Sequence, residues 1–197
     1  MNPHIVALTQ KIEALEAELE AELAQTRAEL RVGLERGRAV FEEEILRRHR
    51  ELRTRLSTYI LKAHPLVILT APVIYAVIIP LVLLDLFVTI YQAVCFPVYG
   101  IPKVRRGDYL IFDRYHLAYL NAFEKLNCGY CAYANGLIGY VREIAGRTEQ
   151  YWCPIKHARR VIGAHPGYAM FEDYGDADGY RKRQQQLQKD RAKSVEH

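Results

Sequence analysis

The chain has 197 residues, half of them hydrophobic and a quarter charged, with a formal net charge of +4. The averages conceal a segregation: the net is −5 over residues 1–44, +5 over 45–63, −1 over 64–99 and +5 over 100–197. That pattern excludes a single soluble core and argues against disorder throughout or a disulfide-rich secreted framework.

The fold expected is mainly α, in four segments: 1–63, 64–100, 101–180 and a basic flexible tail, 181–197. Met1–Gln10 has no basic stretch leading into an apolar run, so no secretory leader is expected. Good helix formers dominate from about Pro3 to Lys62. Leu8, Leu19, Leu30, Phe41 and Leu52 form a column spaced by eleven, and Ile12, Leu23, Leu34, Ile45 and Leu56 form a second. Eleven residues in three turns keep a stripe nearly straight along a helix. The segment is therefore expected to be a long amphipathic helix whose narrow stripe makes a helix–helix seam, giving a homo-oligomer through residues 5–60. The stretch has no interior Pro and one cluster of Gly, at Gly33 and Gly37.

Residues 66–98 are a largely apolar run with a single charge, Asp85, and prolines at 72, 80 and 97. A bilayer core needs about 20 helical residues, so the run is long for one span and short for two. Two layouts satisfy it: a re-entrant hairpin turning near Pro80, or one kinked span. Arg47, Arg48, Arg50, Arg53, Arg55 and Lys62 precede the block, and Lys103, Arg105, Arg106 and Arg114 follow it. Basic flanks stay cytoplasmic, which favours both ends on that face and puts the soluble parts in the cytoplasm. Asp85 then lies near the hairpin turn, or else faces a partner helix.

Beyond Pro102 a short strand is expected over Asp108–Asp113, with helices over Tyr115–Asn127, Tyr133–Arg147 and Pro154–Ile162. Cys128-Gly-Tyr-Cys131 would be a knuckle between two of these helices. Cys153 and His157 would share one face of the third. The set C-x2-C, twenty-one residues, C-x3-H supplies three thiolates and an imidazole, a full tetrahedron for Zn²⁺. A closed Cys3His site points to a structural ion; the alternative is iron or an iron–sulfur cluster with Cys95 joining the three other cysteines. Asp173–Gly179 fails as a calcium loop, because Tyr174 and Gln185 stand where acids are required. With no phosphate loop or nucleophile elbow, no enzyme is indicated, and no nucleic-acid motif is present. The sequence suggests a membrane-anchored, homo-oligomeric scaffold or accessory subunit of a larger membrane complex. The alternatives are a redox carrier with Cys-ligated iron and a membrane-shaping protein.

Overall fold

The N-terminal helix α1 runs Pro3–Glu29 and stops short of the glycines. The computed structural model describes residues 3–29, 32–35, 38–41, 43–62 and 64–195. After α1 come two short strands, β1 (Val32–Glu35) and β2 (Arg38–Phe41), paired antiparallel with Val32 opposite Phe41 and Glu35 opposite Arg38. Helices α2 (Glu43–Glu51) and α3 (Leu56–Lys62) follow. The unbroken helix expected over residues 3–62 is thus interrupted. Gly33 is a poor helix former, and Val32, Val40 and Phe41 favour extended backbone. The columns of eleven divide accordingly: Leu8, Ile12, Leu19 and Leu23 ride on α1, Leu34 and Phe41 fall in the two strands, and Leu30 lies outside the described residues. In α2, Glu43 and Glu44 open the helix and Arg48, His49 and Arg50 close it, complementing the helix dipole at both ends.

Helix α4 (Pro65–Ala76) starts on His64, whose Nδ1 accepts from the Leu66 N–H at 3.3 Å, with Pro65 at the first helical position. It passes to α5 (Ile78–Tyr99) through Val77 alone. The break sits one turn before Pro80, which has no N–H for the Ala76 carbonyl and whose ring crowds it. Val77 keeps helical angles (φ −62°, ψ −19°), and the Leu81 N–H still reaches the Val77 carbonyl at 3.4 Å. Helical backbone therefore continues through Val77 toward Pro80. The hairpin layout is corrected; one long apolar helix occupies Pro65–Tyr99.

Gly100, at φ +65°, ends α5. The Ile101 N–H bonds the Phe96 carbonyl at 2.9 Å and the Gly100 N–H bonds that of Pro97 at 3.3 Å, the two closures of a Schellman cap. The strand expected over 108–113 is absent; tight turns over Arg106–Asp108 and Asp113–His116 occupy that stretch. Helix α6 then runs unbroken for 31 residues, Ala122–Trp152. Asn121 starts it: its Oδ1 accepts from the Phe123 and Glu124 N–H groups at 3.0 Å, while Glu124 Oε2 accepts from the Asn121 N–H at 2.8 Å. That reciprocal pair is a capping box. No helix forms over 154–162; Ile155 bridges Glu172 in parallel instead. The tail expected to be flexible carries helix α7, Ala177–Val195, opened by Asp176, whose Oδ1 accepts from the Gly179 N–H at 2.8 Å.

The chain divides into two units. One comprises Met1–Gln10, Val82–Tyr109 and Leu137–His197; the other comprises Lys11–Leu81 and Leu110–Gly136. In the first, Phe96, Val104, Leu137, Tyr140, Ile144 and Phe171 are the buried apolar side chains. In the second, Tyr115 sits against Gly129, where a Cβ would come within 2.0 Å of its hydroxyl. Tyr75 and Tyr130 meet edge to face at 5.8 Å, and the Tyr130 hydroxyl donates to the Ile74 carbonyl at 2.8 Å.

Candidate membrane-contact face

Pro65–Tyr99 is long and apolar enough to cross a membrane: its best window has a mean hydropathy of 2.7, and none of that window is buried. The exposure is one-sided. On the α5 residues of the first unit, Leu83, Phe87, Ile90, Val94 and Val98 are exposed, Phe87 at 68% and Val98 at 76%. Their spacing of three or four residues puts them on one helix face. Asp85, Val88, Tyr91, Gln92, Cys95, Phe96 and Tyr99 are the covered or partly covered positions. On α4, in the other unit, Leu66, Val67, Ile68, Leu69, Val73 and Ile74 are exposed, whereas Ala71 and Tyr75 are partly covered.

What covers α5 is polar. Gln92, only 7% exposed, donates from Nε2 to the Tyr140 hydroxyl at 2.7 Å and accepts the Val104 N–H on Oε1 at 2.6 Å. Both ends of its amide are satisfied, as burial requires. The Tyr91 and Thr148 hydroxyls meet at 2.9 Å. Asp85 takes both guanidinium nitrogens of Arg106, with Nη2 at 2.7 Å from Oδ2 and Nη1 closer still to Oδ1. The same guanidinium carbon stands 6.0 Å from the Tyr140 ring centre. Arg147 joins Glu143 (2.8 Å) to the Pro102 carbonyl (2.7 Å), tying the segment after α5 to α6. Tyr109 packs on Gly139, and burial, reinforced by the Glu143 carboxylate, pushes its phenol above the usual range.

These contacts fix a direction. Val104 is level with Gln92 and Arg106 with Asp85, so residues 101–109 run back along α5. Lys103, Arg105 and Asp108 on that segment are exposed. Each such charge carried to mid-bilayer would cost about 2.5–3.5 kcal/mol. The aromatic end of α5 is built differently: the Tyr99 ring lies 5.0 Å from that of Tyr151 and 5.6 Å from that of Trp152.

The sequence-derived metal ligands are placed otherwise than expected. Cys128 and Cys131 stand inside α6, not in a knuckle between helices, and about six turns of that helix separate Cys131 from Cys153. Cys153 and His157 follow the helix in a non-helical stretch and share no helical face. There the Lys156 N–H reaches the Glu172 carbonyl at 2.8 Å, and the His157 N–H donates to the Tyr168 hydroxyl at 2.6 Å. Lys156 Nζ holds Asp173 at 2.8 Å, keeping that carboxyl below its ordinary pKa. All four cysteines are free thiols, and Cys95 lies half-buried on α5. Among the described residues no three His, Cys, Asp or Glu side chains are grouped to hold an ion.

Sequence reasoning missed Arg106, Gln92 and Tyr140. The signal for Arg106 existed, since a lone carboxylate in an apolar run requires a cationic partner. No signal marked Gln92 or Tyr140. No family model, curated protein or solved structure matches this chain.

Proposed function

We propose that this protein is a membrane-anchored, homo-oligomeric scaffold or accessory subunit with its soluble parts in the cytoplasm. The observation that carries the reading is the 35-residue apolar helix Pro65–Tyr99 with an exposed aliphatic face. Self-association is supported by α1, on which Leu8, Ile12, Leu15, Leu19 and Leu23 are all at least 45% exposed. They recur every three or four residues, which is the spacing of a seam between helices. The basic residues on both sides of the apolar block support the cytoplasmic assignment.

The test is fractionation of cells expressing the full chain, followed by sizing in detergent. The protein should stay with membranes through a high-salt wash and leave them only with detergent. In detergent it should run as an oligomer, and Ile12→Asp with Leu19→Asp should give monomers, because the seam would then bury unpaired charge. Recovery in the soluble fraction overturns the membrane reading. A monomeric wild type overturns the scaffold reading.

A further inference from the structure

We propose that α5 lies in the plane of the bilayer surface from Val82 to Tyr99. Leu83, Phe87, Ile90, Val94 and Val98 enter the acyl–headgroup boundary of one leaflet, and the Asp85–Gln92 side turns to protein and water. This rests on the membrane-anchored reading and adds the orientation and the partner, a lipid surface.

An in-plane helix needs an apolar face and a polar face. On its own α5 lacks the second, having only Asp85 and Gln92 as strongly polar side chains toward it. The polar face is supplied by what packs there: Arg106 on Asp85, Tyr140 and the Val104 N–H on Gln92, Thr148 on Tyr91. The assembly is amphipathic although the helix is not. A crossing helix would draw residues 103–108, level with Asp85 and Gln92, into hydrocarbon together with their exposed charges. A crossing confined to residues 65–84 would avoid that, but it would leave Phe87, Ile90, Val94 and Val98 facing water. Lying flat satisfies both constraints.

The occupant follows from the chemistry of the face. Its side chains are aliphatic or aromatic, and the exposed polar residue of the segment, Thr89, donates to Asp85 at 3.3 Å. Lys103 and Arg105, exposed on the segment packed against the other side of α5, stay hydrated in this orientation. Tyr99, Tyr151 and Trp152 cluster at the helix end, and such rings favour the headgroup level.

Trp152 is the sole tryptophan, so Trp152→Phe gives a silent background for single probes at exposed positions. Leu83→Trp, Ile90→Trp and Val98→Trp would each be bound to phosphatidylcholine–phosphatidylglycerol vesicles brominated either high or low on the acyl chain. An in-plane helix predicts strong quenching by the shallow bromines at all three sites, with shallow-to-deep ratios alike within about twofold. Positions 83 and 98 are about 22 Å apart along the helix axis, so a crossing helix predicts a graded ratio. Vesicle binding with a graded ratio overturns the in-plane proposal and leaves the membrane-anchored reading standing. No vesicle binding overturns both. Blue-shifted emission without lipid, insensitive to bromines, overturns the proposal in favour of a second copy covering the face.

Discussion

Gln92 sits in an apolar helix and is nevertheless almost fully buried, because each end of its amide has a partner, Tyr140 on one side and the Val104 N–H on the other. Replacing it by Leu would keep the volume and strand both partners. An unsatisfied buried polar group costs about 1–3 kcal/mol, so Gln92→Leu should lower the unfolding free energy in detergent by about that much, despite raising helix hydrophobicity. Denaturant titration of the two proteins measures it; equal or higher stability for the variant would mean the network contributes nothing. Asp85 shows how far single residues could be read beforehand. A carboxylate alone among aliphatic residues announces the need for a cation. Arg105 and Arg106 are equivalent candidates in sequence, and only the path of residues 101–109 along α5 selects Arg106. Asn121 and Glu124 form an N-x-x-E signal that sequence reading passed over, because a helix was expected to begin at Tyr115.

Helix α6 is the element where local signals misled most. Gly129, Gly136, Gly139 and Gly146 lower its helix propensity, and a knuckle between two helices is what the C-x-x-C pair leads one to expect. Three of them are contact sites. Tyr115 lies against Gly129, Tyr109 against Gly139, and the His165 ring against Gly146, where a Cβ would meet it at 2.5 Å. Packing of aromatic rings into these notches outweighs the backbone entropy that glycine loses. His165 is held there by Glu149 at 3.2 Å and by the Tyr168 and Phe171 rings. Cys128 and Cys131 lie within α6, whereas Cys153 and His157 follow it and are exposed. Cys153→Ser and His157→Ala should therefore each change the unfolding free energy by no more than about 0.5 kcal/mol, as surface substitutions do. Elemental analysis of the purified wild type belongs with that measurement. One zinc per chain, discharged by either substitution, would contradict the arrangement described and restore the Cys3His reading. The opposite error occurred at the N-terminus: a column regular over five repeats of eleven residues masked the cost of Gly33, and the chain pairs two strands where the columns called for helix.

At the scale of the molecule, the apolar block was the most legible feature, and one long apolar helix occupies Pro65–Tyr99. Its length and its missing charges are properties of composition, and they survive any tertiary arrangement. Its orientation was not legible. Hairpin and span both followed from proline positions and flanking charge, and neither reading could anticipate that residues 101–109 return along α5 and lend it a polar side. The account stands on the exposed α5 face being the lipid contact, and vesicle flotation tests that most directly. Phe87→Gln, Ile90→Gln and Val94→Gln together should reduce partitioning at least about a hundredfold, since each side chain gains about 1.5–3 kcal/mol on leaving water. Ile162→Gln, at a 94%-exposed position outside α5, should leave partitioning unchanged. Flotation of the triple variant indistinguishable from wild type would contradict the account.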